Sequence, residues 1–237
     1  MPPRRPNSNS ESVDNYLKAI LALAGPADQR VASKRLADYL GVAPASVTNM
    51  LQKLAAVPDS PVHYELHRGV RLSPSGRKRA LEVLRHHRLI ETFLFEVLDY
   101  PLEEVHDEAE RLEHFISERF EERIAAKLGH PRFDPHGHCI PALDGRMPRQ
   151  ASIPLSEAAP GARLLVESVA DRDATTLRLL RTSGIQPGAR LSIKNRTPTG
   201  AVQLALSPSG KAAKILSLPP RAAEAIRVRP ARPSHNQ

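Results

Sequence analysis

The chain has 237 residues, 41% hydrophobic and 25% charged, with a formal net charge of +8 and one cysteine, Cys139. This length can build one large domain or two smaller ones with packed cores, while the lone cysteine excludes an intrachain disulfide framework and a thiolate zinc site. No run is apolar enough for a signal-peptide core or a membrane span, so a folded cytoplasmic protein with no membrane partner is expected. The charge is uneven: residues 1–80 carry 12 Lys/Arg against 6 Asp/Glu, residues 81–130 carry 6 against 13, and the remainder 16 against 7. Basic surface suits a polyanion, and clustered carboxylates suit a hard cation.

Residues 1–11, rich in Pro and Asn, read as a disordered basic tail. Ser12 to Ala24 has helical spacing through Tyr16, Leu17, Ile20, Leu21 and Leu23, ended by "AGPAD". Ser33 to Leu54, "SKRLADYLGVAPASVTNMLQKL", fits a helix-turn-helix. Ala37 allows two helices to cross closely, Gly41 can take the positive φ between them, and Leu36, Leu40, Val42, Val47 and Met50 stand at the positions such a motif buries. The second helix exposes Ala45, Ser46, Thr48, Asn49 and Lys53. Small and amide side chains suit base edges in the major groove, although each residue singly is also an ordinary solvated helix position. "VHYELHRGVRLSP" reads as two short strands around Arg68-Gly69, a basic wing whose Arg68 and Arg71 would contact phosphates. Residues 12–74 are thus expected to form a winged helix-turn-helix DNA-binding domain.

Ser75 to about Leu98 is a long amphipathic helix whose stripe of Leu81, Leu84, Leu89, Phe93, Leu94 and Val97 is wide enough for self-association. His87 and Glu91, four residues apart, share a face of it. "VHDEAERLEH", Val105 to His114, reads as helical. At about 100° per residue, His106, Glu110, Glu113 and His114 fall on one face, which is either a solvated charged surface or a cation site. Residues 130–151 are aperiodic and rich in Pro, Gly and His. They read as a linker in which His136 and His138 could bind metal but are more simply exposed loop residues. Beyond it, "ARLLVESVA", "ARLSIKNRT", "AVQLALSP", "AAKILSLP" and "AIRVRP" are strand-like and "ATTLRLLRTSGI" is helical, which suggests a small β-barrel.

The segments "VDNYLKAI", "LADYLGVAPASVTNMLQKL", "RGVRLSPSG", "HHRLIETFL", "VHDEAERLEH" and "DPHGHCIP" together resemble the metal-dependent repressors typified by the diphtheria toxin repressor, the iron-dependent regulators and the manganese transport regulator. The resemblance covers nearly all of residues 12–141 and, more loosely, 152–229. It implies a mainly α fold: the winged helix-turn-helix, a helical dimerisation and metal-binding domain over 75–141, a linker over 142–151, an SH3-like barrel over 152–229 and a tail over 230–237. It also implies two cation sites per subunit. The primary site would use Asn15, Glu110, Glu113 and His114, and the ancillary site His87, Glu91 and His106. Asp173, aligned with an acidic ligand of the relatives' C-terminal domain, would join the ancillary site, or would only cap the helix beginning near Ala174. Two departures stand out: Asn15 is where relatives have Met or Asp, and Lys18 is where the manganese regulator has a further carboxylate. Glu110, in place of the Cys of iron-sensing relatives, makes the set oxygen-rich and suited to Mn²⁺ or Fe²⁺.

The reading that follows is a homodimeric, metal-activated transcriptional regulator that binds a pseudo-palindromic operator in double-stranded DNA and represses metal-uptake genes. It has no small organic substrate and is not an enzyme. The alternatives are a metallohydrolase built on the His/Glu cluster, for which no separate general base or nucleophile motif is found, and a DNA-binding protein with a vestigial metal site.

Overall fold

The computed structural model describes residues 8–25, 27–148, 151–206 and 214–231, and no metal or partner chain is present in it. Most of both expected tails, and residues 149–150 of the expected linker, lie outside the described residues. The chain divides into two compact units, one from residues 1–89, 110–130 and 140–149, the other from 90–109, 131–139 and 150–237.

In the first unit, helix α1 spans Ser8–Ala24, so it starts four residues before the expected Ser12. Its residues Tyr16, Leu17, Ile20, Leu21 and Ala24 recur every three or four positions, and all are buried. Helices α2 (Ser33–Leu40) and α3 (Pro44–Ala55) form the expected helix-turn-helix. Gly41 has φ 65°, in the left-handed region, and its N–H reaches the Ala37 carbonyl to close α2. Leu36, Ala37, Val47 and Leu51 join the core of α1, but Val42, expected to be buried, is 40% exposed. It lies in the connecting turn, outside both helices. Leu40 and Met50 are only partly covered.

Strands β1 (Val62–Glu65) and β2 (Gly69–Leu72) pair antiparallel as the wing. The turn is Leu66–Arg68 with His67 at φ 64°, so Gly69 opens β2 and Arg68-Gly69 is not the centre of the turn. Val31 adds a third rung, exchanging hydrogen bonds of 2.8 and 2.9 Å with Val70. Helix α4 (Pro74–Val97) follows as expected. Helix α5 (Val105–Leu112) stops before Glu113 and His114, which lie in a turn rather than in the continuous helix expected through His114. Helix α6 (Glu118–Lys127) occupies a stretch to which the sequence pattern assigned no element. Ser117 caps it, accepting from the Phe120 N–H.

In the second unit, β3 (Ile153–Pro154), β4 (Arg163–Val169), β5 (Arg190–Arg196), β6 (Val202–Leu206), β7 (Lys214–Leu218) and β8 (Ile226–Pro230) form one antiparallel sheet in the order β3-β8-β4-β5-β6-β7. Irregularities between Val166 and Ser168 and between Ile193 and Asn195 increase its twist. The sheet does not close into a barrel: among the described residues β3 and β7 are its edges. Helices α7 (Ala174–Ser183) and α8 (Pro220–Glu224) contribute Leu177, Leu180, Ala222 and Ala223 to the same core as Leu164, Val166, Ile193 and Leu204.

Residues 131–139 are not the exposed linker that their composition suggested. Phe133 bridges to Cys139, and the Asp134 carboxylate Oδ1 accepts the N–H groups of His136 and His138, each at 2.9 Å. The His136 carbonyl accepts from Val169 N at 2.9 Å, which ties the loop to β4. Gly137 makes this approach possible. Its φ is +89°, and a Cβ there would stand 2.0 Å from the Glu167 carbonyl oxygen.

Gly137→Ala is therefore expected to lower thermal stability by more than about 2 kcal/mol, because strain and a backbone clash add. Gly188→Ala, with φ +87° but open space around it, should cost about 1 kcal/mol. Thermal unfolding of both variants checks the difference. Equal losses would mean that the loop is not held against β4.

Candidate metal centres and nucleic-acid interface

The first unit gathers the four residues expected at the primary site. Asn15 comes from α1, Glu110 from the last turn of α5, and Glu113 and His114 from the turn after it. His114 Nε2 lies 3.0 Å from Asn15 Oδ1 and 3.3 Å from Glu113 Oε1. Its buried Nδ1 has no hydrogen-bond partner and stands 3.7 Å from Asp14 Oδ2. Glu113, 1% exposed, also takes a 2.6 Å contact from His87 Nδ1. His87, expected among the ancillary ligands, thus hydrogen-bonds to a primary-site carboxylate. The Lys18 ammonium touches both Glu110 and Glu113, at 2.5 and 2.7 Å.

Asp14 does not replace Asn15. Its carboxylate is bound to Arg79 Nε at 2.5 Å. Burial disfavours its charged form, yet the nearby His114 imidazole and the Arg79 guanidinium outweigh this and hold its pKa below the usual aspartate value. The set left for a cation is two carboxylates, one imidazole and one amide oxygen, an oxygen-rich set that fits a hard or borderline divalent ion.

The second unit holds a separate acid-histidine cluster around Glu91, which is fully buried. His106 Nδ1 is 3.2 Å from Glu91 Oε1, and His136 Nδ1 is 3.7 Å from the same oxygen. Ligand atoms of Glu91, His106 and Asp171 come within 4.8 Å of one another, as do those of Glu91, Asp134 and His136. His136 is fully buried and its Nε2 lies 3.2 Å from the Leu102 carbonyl. That bond leaves Nδ1, which has no hydrogen-bond partner, facing the carboxylates. Burial opposes its charged form, but Glu91, Asp134 and Asp171 prevail and raise its pKa. Asp171 is shifted the other way. Burial raises its pKa, but His138, 3.6 Å from its Oδ2, and the other imidazoles bring it below the usual value. A buried imidazole nitrogen lacking a partner among carboxylate oxygens is what a cation site requires before it is filled.

Of the residues expected here, Glu91 and His106 are present; His136 was weighed as a metal ligand but read as an exposed loop residue, and Asp134 and Asp171 were not expected. The acid-histidine alternation of "DPHGH" was visible in the sequence, but burial of His136 comes from β4, which is distant in the chain. Asp173 takes the second of the two roles expected for it, the helix cap. Its Oδ1 caps α7 through Thr175 N and Thr176 N, and its Oδ2 pairs with Arg221 at 2.9 Å, so the carboxylate in the cluster belongs to Asp171, two residues earlier.

On α3, Ala45, Ser46, Asn49 and Lys53 are exposed, as a base-reading face requires. Thr48 is half-buried and its hydroxyl bonds the Pro44 carbonyl, which occupies its donor. In the wing, the Arg68 side chain is 78% exposed beside Glu65, whereas Arg71 bonds the Asp28 carbonyl and lies 3.6 Å from its carboxylate.

Residues 9–70 match the family described as iron dependent repressor, N-terminal DNA binding domain, residues 73–142 its metal binding and dimerisation domain, and residues 153–230 the FeoA domain. The iron-dependent repressor IdeR of Mycobacterium tuberculosis is 33% identical over 174 residues, which span 68% of this chain and 73% of that protein. The diphtheria toxin repressor of Corynebacterium glutamicum is 27% identical over 172 residues, 68% of this chain and 74% of that one. Among solved structures, a manganese-dependent transcriptional repressor in complex with manganese has a TM-score of 0.84 at 36% identity, covering 92% of this chain and 100% of that chain. The manganese regulator SloR has a TM-score of 0.73 at 27% identity, covering 92% and 98%. With a DNA-binding segment, a metal-binding and dimerisation segment and a FeoA segment in succession, and a relative one-third identical over most of its length, the chain belongs to the family of metal-dependent transcriptional repressors that includes IdeR and the diphtheria toxin repressor.

Proposed function

We propose that the chain is a cytoplasmic, homodimeric repressor of metal-uptake genes, activated by Mn²⁺ or Fe²⁺ and directed to a pseudo-palindromic operator. Asn15, Glu110, Glu113 and His114 would hold one ion per subunit. Glu91, His106, Asp134, His136 and Asp171 would hold a second. A bound ion supplies positive charge that offsets the buried carboxylates.

One observation carries the reading: α1 serves both the cation site and the DNA-reading motif. Asn15 faces His114, while Tyr16, Leu17 and Ile20 of the same helix pack in one core with Leu36, Ala37 and Val47 of the helix-turn-helix. An ion that fixes α1 against the 110–114 segment therefore biases the position of α3, and by linkage DNA binding must tighten metal binding to the same extent. A coupling of about 1–3 kcal/mol corresponds to a change of roughly 5–150-fold in operator affinity. The complete donor set favours this reading over a vestigial site. The family is one of DNA-binding repressors, not enzymes.

Duplexes selected from random DNA with Mn²⁺ present should bind tightly with Mn²⁺ and lose that binding when a chelator removes it. Binding that ignores the chelator would reject metal activation. On such a duplex, Asn49→Ala should lose about 1–3 kcal/mol of specific affinity and little non-specific affinity, whereas Arg68→Ala should weaken both. Similar losses on selected and random duplexes for the two variants would remove the division between base-reading helix and phosphate-gripping wing.

Calorimetric titration separates the two ions. Glu110→Cys should move preference from Mn²⁺ toward Fe²⁺ or Co²⁺, since a thiolate is softer than a carboxylate. Asp171→Asn should weaken only one of the two Mn²⁺ events, by about tenfold or more. Asp173→Asn should leave both events intact, because Asn caps a helix about as well as Asp. The reverse pattern at 171 and 173 would return the ligand role to Asp173.

A further inference from the structure

The carboxylates of Glu110 and Glu113 are already paired with a cation that belongs to the chain. Lys18 Nζ stands 2.5 Å from Glu110 Oε1, 2.7 Å from Glu113 Oε1 and 2.9 Å from Glu113 Oε2. Lys18 is 8% exposed and Glu113 is 1% exposed, so this pair meets largely out of water, while the Glu110 side chain stays 30% exposed at its edge. Lys18 follows Asn15 by three residues on α1, close to one helical turn, so both side chains address the 110–114 segment from the same helix. Two carboxylates brought together away from solvent repel each other and lose hydration, and an ammonium between them offsets both effects.

A divalent ion that takes oxygens from Glu110 and Glu113 would occupy the place of that ammonium. Like charges at contact distance in a poorly solvated site are strongly unfavourable, so ion and ammonium cannot share the pair. Building on the primary-site reading given above, we propose that Lys18 is the resident counter-ion of that site. It is expelled to solvent when the metal enters, so it sets the metal concentration at which the repressor responds. The exchange is non-covalent: one lysine cation leaves the carboxylates and one metal ion joins them. The device gives the metal-free protein a defined arrangement instead of a pair of repelling carboxylates, and every entering ion has to displace it.

Two measurements on the full-length protein test this. In the first, Mn²⁺ is titrated calorimetrically into the wild type and Lys18→Met, and thermal unfolding is followed without metal. The variant should bind its first Mn²⁺ about tenfold or more tightly and unfold at a lower temperature when metal-free, because the competitor and the counter-charge leave together. In the second, which needs only the wild type, the rate of Lys18 acetylation by a small amine-reactive reagent is followed by mass spectrometry. It should be slow without metal and rise severalfold when Mn²⁺ is added. Unchanged Mn²⁺ affinity in Lys18→Met, or a Lys18 acetylation rate that Mn²⁺ does not raise, overturns the proposal while leaving metal activation standing. If Lys18→Met does not fold, the acetylation rate alone decides. Absence of any Mn²⁺ binding by the wild type overturns the primary-site reading and this proposal with it.

Discussion

A carboxylate removed from water has to be met by positive charge, and much of this structure is arranged around that requirement. Five of the buried acids show the answers taken. Glu113 meets Lys18 and His87, Glu121 meets Arg85 and His86, Asp14 meets Arg79, and Glu103 meets Arg178 and Arg181. Glu91 meets the imidazoles of His106 and His136. A guanidinium is permanently charged and ties its acid into the scaffold. An imidazole can surrender its proton, and an ammonium on a flexible stem can leave. The acids met by Arg are thus committed to structure, whereas those met by Lys and His keep an option to exchange partners. The two candidate cation centres coincide with the second kind.

The charge segregation along the chain makes sense in the same terms. The acidic stretch 81–130 supplies Glu91, Glu103, Glu110, Glu113 and Glu121, and the cations that answer them come from segments near and far: Lys18 from α1, Arg85 and His86 from α4, Arg178 and Arg181 from α7. Within the first unit this couples the acidic segment to α1, and through the core of α1 to the reading helix α3. In the proposed mechanism this shared core is the route by which a change of charge at the carboxylates would reach the reading helix.

How much of this was legible in the sequence depends on the range of the determining interaction. Helices α1 to α4 and the wing follow from local periodicity, from the positive φ available to Gly41 and from the turn residues near Gly69. The gathering of Glu110, Glu113, His114 and Asn15 was legible only because the family resemblance supplied a contact between segments about a hundred residues apart. Where long-range packing decides, the pattern misled. "VHDEAERLEH" carries helical spacing throughout, yet Ser117 starts a new helix and the chain leaves α5 before Glu113 to reach it. The loop at 131–139 has the composition of a linker, and nothing local shows that β4 will bury His136. Asp171 and Asp173 are equivalent in the sequence as acids preceding α7. The geometry of the first helical turn assigns Asp173 to the cap and leaves Asp171 for the cluster.

The Asp134 loop has a consequence of its own. One carboxylate oxygen of Asp134 accepts the backbone N–H groups of His136 and His138, and the other lies 3.4 Å from the His138 ring, on the side of the cation cluster. The same side chain therefore holds the loop's shape and contributes to the proposed ion site. Those two amides would report on the proposed site: an ion drawn to the carboxylate would stiffen the loop it organises and slow their exchange with deuterated solvent. Filling of the proposed centre in the second unit would then have a local signature in two backbone positions, readable in the intact protein.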